Sequence, residues 1–164
     1  MTLDKKCRKL IEALWSVNKY DVMARGYSHY KEVQKQLRSA SDCSDCREVY
    51  LLISSLRTLP YSHPDVINTL EHMWGYFRKT AADDRKDVFL HCLERAKGCT
   101  AGEYTSFPPE VRPALGNLSL LLEIYPDSYL KQSSFFKPVQ HWNRVTVNDT
   151  LMIVNKETFQ KNGM

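Results

Sequence analysis

No apolar run in this chain approaches the roughly 20 residues needed to span a bilayer. Its opening, M-T-L-D-K-K-C-R-K-L, has neither the apolar stretch nor the small-residue cleavage site of a secretory signal. A cytoplasmic protein with no membrane partner is therefore the expectation. Also missing are a glycine-rich phosphate loop, an H-E-x-x-H pair and a G-x-S-x-G elbow, the best-defined signatures of nucleotide binding, zinc proteolysis and hydrolase chemistry. No assembled nucleophile, base and oxyanion donor can be named, and no cofactor is expected. Neither sign of charge is in large excess. A net charge of +4 and a pI near 8.8 tolerate an anionic partner but stop short of the pI above about 9 that marks many nucleic-acid domains.

Cysteine is present in an odd number, five. In a reducing compartment that count argues for free thiols and against disulfides. Cys43-Ser44-Asp45-Cys46 has the C-x-x-C spacing of metal and redox sites, in which two thiolates converge on one atom. A tetrahedral zinc needs two further ligands, however, and His91, Cys92 and Cys99 do not form a second such pair. Cys43 and Cys46 thus remain candidate ligands without partners, and a loop leading into a helix explains them as well. Near a helix N-terminus, Cys46 also has the position of an acidic, reactive thiol.

The 164 residues suit one domain that buries its core without metal or disulfides. Leu3, Cys7, Leu10, Leu14 and Val17 recur at helical spacing, predicting a long first helix that runs to Ala24 and stops at Gly26. Tyr30, Val33 and Leu37 mark a second helix, and Ser39 to Asp45 a polar loop. Val49, Leu52, Ile53 and Leu56 mark a third, closed by Leu59-Pro60. Pro64 suits the first turn of a fourth helix running to about Lys79. Thr80 with Asp83 resembles a capping box for a fifth, which Gly98 ends, and a sixth comes after Pro109 and is stopped by Pro126. The β-branched stretch Val145 to Val154, with Asn148-Asp149 at its middle, reads as a short hairpin. An all-α, single-domain bundle of about six helices is expected, packed around one core, with the fourth helix central.

That fourth helix carries two stripes. At 100° per residue Val66, Leu70, Met73 and Phe77 share one face, while Asn68, His72, Gly75 and Lys79 fall nearly opposite. The first stripe reads as core. The second gathers an amide, an imidazole, a gap and an ammonium, with Asn68 and His72 at i, i+4 spacing that suits a hydrogen-bonded pair and, at its most ambitious, general acid-base work. A packed, hydrogen-bonded histidine and a neighbouring helix seated on Gly75 are the plainer reading. Elsewhere Lys5-Lys6, Arg8-Lys9, Arg78-Lys79 and Arg85-Lys86 interleave with Tyr20, Tyr27, Tyr30 and Tyr76. Cations and rings in alternation are what looped or single-stranded RNA requires, although most such charges serve only as solvated helix faces.

Three segments carry a family resemblance: Lys19-Tyr20 with Met23-Ala24 and Tyr30-Lys31; Asn68, His72, Gly75, Tyr76 and Phe77, matching N-x-x-x-H-x-x-G-Y-F; and Tyr125-Pro126 with Leu130, Phe136 and Pro138, matching Y-P-x-x-Y-L and the segment after it. From about Lys19 to Pro138 the chain resembles the YbgA-like domain family, a domain of unknown function. It departs from the pattern at Trp15, Arg25 and Leu120, which stand where the family has histidines. The resemblance implies an accessory role: in longer relatives this domain comes after an iron-sulfur domain resembling thiouracil desulfidases, where it is thought to help engage thiolated tRNA.

The function expected is an accessory module that binds tRNA or another structured RNA, with Lys19, Lys31, Arg78 and Lys79 on phosphates, Tyr30 and Tyr76 stacking on bases, and His72 alongside. A protein-docking module and a small enzyme using His72 with Asn68 are the alternatives. Oligomeric state is open.

Overall fold

A computed structural model describes residues 2–160. Thr2 starts the first helix, α1 (Leu3–Arg25), by accepting a hydrogen bond from the Lys5 N–H at 3.3 Å. In its C-terminal half Val17, Asn18, Tyr20, Asp21, Val22, Met23 and Ala24 are all buried. A helix buried all round lies inside the fold rather than on it. Thus α1, and not the fourth helix, is the central element.

Gly26 alone separates α1 from α2 (Tyr27–Ser39). Asp42 then caps α3 (Cys43–Leu56), accepting from the Asp45 N–H at 2.8 Å. A two-residue strand, β1 (Tyr61–Ser62), leads into α4 (His63–Trp74), whose Pro64 sits in the first turn where no N–H is needed. After α5 (Asp83–Lys97), β2 (Glu103–Tyr104) pairs antiparallel with β1. Helix α6 (Arg112–Ile124) and the single turn α7 (Ser128–Lys131) come next. The predicted hairpin forms as β3 (Arg144–Val147) and β4 (Thr150–Ile153), paired antiparallel from Arg144–Ile153 to Val147–Thr150. Asn148 and Asp149 make its turn at φ 51° and 63°, the left-handed conformation that a two-residue hairpin loop requires.

The fold is a mostly helical single domain with a C-terminal hairpin, but its interior divides into two adjoining clusters that meet on α1. One joins Leu10, Ile11 and Leu14 to α2 and α3 and is closed by Val145, Val154 and Phe159. The other joins Tyr20, Met23 and Ala24 to α4, α5 and α6.

Four local expectations need correction. Helix α4 ends at Trp74, and residues 75–80 continue as turns, with the Phe77 N–H on the Trp74 carbonyl at 2.9 Å. The apolar period runs past this end because Phe77 is still buried, so it reported burial rather than helix. No capping box forms at Thr80: the cap of α5 is Ala82, and the Thr80 hydroxyl turns back toward the Phe77 carbonyl. Nothing from another element sits on Gly75, where an added Cβ would meet only the His72 carbonyl at 3.1 Å. Finally, Cys7 and Cys43 form a disulfide, with a Cα–Cα separation of 5.3 Å. Packing of α1 along α3 brings the two together across 36 residues of sequence.

Candidate nucleic-acid interface

The corner at Gly26 is tight: its N–H reaches the Val22 and Met23 carbonyls, and its own carbonyl accepts from His29 and Tyr30. Helix α2 therefore starts beside the last turns of α1. Two sets of contacts form there: Tyr27, Tyr30 and Lys31 of α2 in one, and Lys19 and Tyr20 of α1, Tyr76 after α4 and Tyr129 of α7 in the other. Tyr27 and Tyr30 stack with centroids 5.5 Å apart and planes 12° from parallel. The Lys31 ammonium lies 5.4 Å from the exposed Tyr27 ring. Tyr20 and Tyr76 join through their hydroxyls at 2.9 Å, and Tyr76 lies nearly parallel to Tyr129 at 6.5 Å. The Lys19 ammonium sits between the Tyr20 and Tyr129 rings, 5.1 and 4.8 Å from their centroids.

Burial raises the pKa of the Tyr30 hydroxyl above its ordinary value, and the charge of Lys19 opposes that shift. The Tyr20 hydroxyl is held well above the tyrosine range by burial and by its bond to Tyr76. The Tyr20 and Tyr30 hydroxyls thus stay neutral in the physiological range. Cations lying over ring faces and rings lying against rings make a surface suited to phosphate and to flat bases.

Of the residues expected from sequence, Lys19, Tyr30, Lys31 and Tyr76 are brought together here. Arg78 and Lys79 lie exposed on the turn just beyond Tyr76. His72 is exposed and Asn68 half-buried, with no hydrogen bond between their side chains among the described residues. Cys43 is bonded to Cys7, and Cys46 is buried, its thiol pushed up to about 11 by that burial. The pair does not act as two converging thiolates, and Cys46 is the opposite of an acidic, reactive cysteine.

Tyr129 was missed, although it is the second tyrosine of the Tyr125-Pro126-x-x-Tyr129-Leu130 run. A second polar centre was missed entirely. Asp21, 1 % exposed, accepts from Arg25 Nε at 2.8 Å and from the Tyr61 hydroxyl, and forms an ion pair with Arg57 Nη1 at 2.7 Å. Arg57 Nη1 also reaches Asn18 Oδ1 at 3.0 Å and Ser134 Oγ at 3.1 Å. Burial lowers the pKa of Arg57 from its ordinary value against the pull of Asp21, and raises that of Tyr61. Asn18, Asp21 and Arg25 at i, i+3 and i+7, on one face of the helix, were the sequence signal for it.

Fold and surface together define the class: a small helical domain that presents an aromatic and basic corner. The chain belongs to the family described as "Protein of unknown function (DUF1722)", which matches residues 19–139 and includes the YbgA-like domains. Lys19, Tyr27, Tyr30, Lys31, Tyr76 and Tyr129 all lie inside that span. No curated protein and no solved structure matches the chain. Among the described residues, no helix is long and apolar enough to cross a membrane, and no group of three or more His, Cys, Asp or Glu side chains is arranged to hold a metal.

Proposed function

We propose that this protein is an accessory module that binds tRNA or another structured RNA through the corner between α1 and α2. The observation that carries the reading is the stacked Tyr27–Tyr30 pair with Lys31 beside the exposed ring, next to Lys19 between Tyr20 and Tyr129. Lys19, Lys31, Arg78 and Lys79 contact phosphates, Tyr27, Tyr30 and Tyr76 offer ring faces to unpaired bases, and His72 lies on the neighbouring helix.

Fluorescence anisotropy with labelled tRNA tests this. Binding should be strongest at low salt and fall with a log–log slope of about −3 if the four cations each release a counterion. Tyr27→Ala should weaken binding about 5- to 100-fold, as expected for loss of one stacked base. Lys31→Ala should make the slope shallower by about 1. Binding that stays undetectable at low salt refutes the reading. Recovery of a stoichiometric protein partner and no RNA would transfer the surface to protein docking.

A further inference from the structure

A cavity of about 460 Å³ opens beside the Asp21 network, between the 105–107 segment and the 134–139 segment. Arg57, Arg112 and Lys137 line it against one carboxylate, Asp21. That carboxylate is already engaged by Arg25, Arg57 and the Tyr61 hydroxyl. The cations are not similarly used up. Both hydrogen bonds of Arg57 and its ion pair with Asp21 are made by Nη1, and Nε and Nη2 have no hydrogen-bond partner among the described residues. Arg112 spends only Nε, on the Phe107 carbonyl at 2.8 Å. The Lys137 ammonium has no partner among the described residues. The Arg57 side chain is buried while Arg112 and Lys137 are exposed, and all three line the cavity. Here the surplus is positive, and it faces a cavity.

Three rings, Tyr61, Phe107 and Phe135, also line it, with Thr105, Ser106, Ser134 and Val139. Phe107 stacks on Tyr61 at 4.7 Å between centroids and meets Phe135 edge-on at 5.7 Å. The cavity is of the size that takes a small molecule, and its lining combines these rings with directed polar groups. We propose that it binds a small oxyanion carried on a planar apolar group, of the chemical class of an aryl phosphate. The guanidiniums of Arg57 and Arg112 and the Lys137 ammonium take the anion, and Phe107 and Phe135 take the ring. This site is separate from the tyrosine surface and does not rest on the RNA reading.

The test is calorimetric titration of the whole chain at low ionic strength with phenyl phosphate, inorganic phosphate and phenol. Phenyl phosphate should bind at one site, inorganic phosphate about tenfold more weakly for want of the ring, and phenol not measurably. Arg112→Ala and Lys137→Ala, both at exposed positions, should each weaken phenyl phosphate by about tenfold without changing the melting temperature. Tyr27→Ala should leave it unchanged, which separates this site from RNA binding. Absence of binding at millimolar phenyl phosphate, or binding insensitive to both cationic variants, overturns the proposal. Equal binding of inorganic phosphate overturns the aromatic part. A 5′-phosphorylated oligonucleotide that competes more tightly than phenyl phosphate overturns the small-molecule reading.

Discussion

Replacing Asp21 by asparagine keeps the shape of the buried network and removes its only negative charge. Its side chain is 2 % exposed, and those of Arg25 and Arg57 are 9 % and 7 % exposed. The variant therefore leaves two largely buried guanidiniums with no counter-charge. Breaking a buried pair in this way costs about 3–5 kcal/mol, because the remaining charge keeps its desolvation penalty. For a chain of this length each kcal/mol shifts the melting temperature by about 2–4 °C, so the expected drop is about 6–20 °C. Against a total stability of about 5–15 kcal/mol the protein should still fold, with a reduced margin. Urea unfolding and thermal melts followed by circular dichroism measure both quantities. Lys97→Ala, which removes only exposed ion pairs with Glu71 and Glu94, is the control and should change neither. The double variant Asp21→Asn with Arg57→Met should lose less than the sum of the two singles, since it deletes a stranded charge along with its partner. A loss below about 1 kcal/mol for Asp21→Asn would refute the description of these groups as a desolvated network.

Cys7→Ser should destabilise the protein by about 3–4 kcal/mol through the loop closed across the 36-residue separation. Reductant should lower the parent chain to the same level and leave the variant unchanged. The Cys46 thiol, pushed up to about 11, favours the folded state while protonated. Its contribution should be full below the unfolded value of about 8.5 and be lost as pH rises through about 11. Native alkylation at pH 8 should accordingly reach the half-buried Cys92 and Cys99 before Cys46, and equal rates would contradict its burial. At the hairpin turn, Asp149→Gly should raise stability by about 0.5–1 kcal/mol, because φ of 63° suits glycine better than aspartate. A denaturation midpoint that falls would mean that the Asp149 side chain supports the turn.

Features set by near neighbours were legible in the sequence. The six main helices arise from apolar residues three and four apart, and the hairpin from two residues that tolerate a left-handed backbone between β-branched runs. Lys19, Tyr30, Lys31 and Tyr76 were legible as cations and rings, but not as one surface. Their meeting depends on the single-residue corner at Gly26 and on how α4 packs against α1, and neither is a property of spacing. The Cys7–Cys43 bond was hidden for the same reason, because C-x-x-C draws the eye to a neighbour three residues away while the real partner lies on another helix. Asp21 was hidden by composition, since one acid in a helix reads as its solvated side until burial is known. Asn68 and His72 show the reverse case. Their stripe is where the spacing puts it, yet it faces solvent without a joint hydrogen bond.

The family match begins at Lys19, partway along the helix on which both apolar clusters meet. Everything α1 contributes before that point lies outside the shared region, including Leu10, Ile11 and Leu14, which floor the cluster formed with Val33, Val49 and Ile53. Val145 of the hairpin and Val154 just after it, which close the same cluster, lie outside it at the other end. Kinship and autonomy of folding therefore have different borders in this molecule. A fragment trimmed to residues 19–139 would keep every tyrosine of the proposed RNA surface and yet expose the flank of α2 and α3 to water. Any comparison of binding among relatives should be made on chains that retain the whole of that first helix or an equivalent for it.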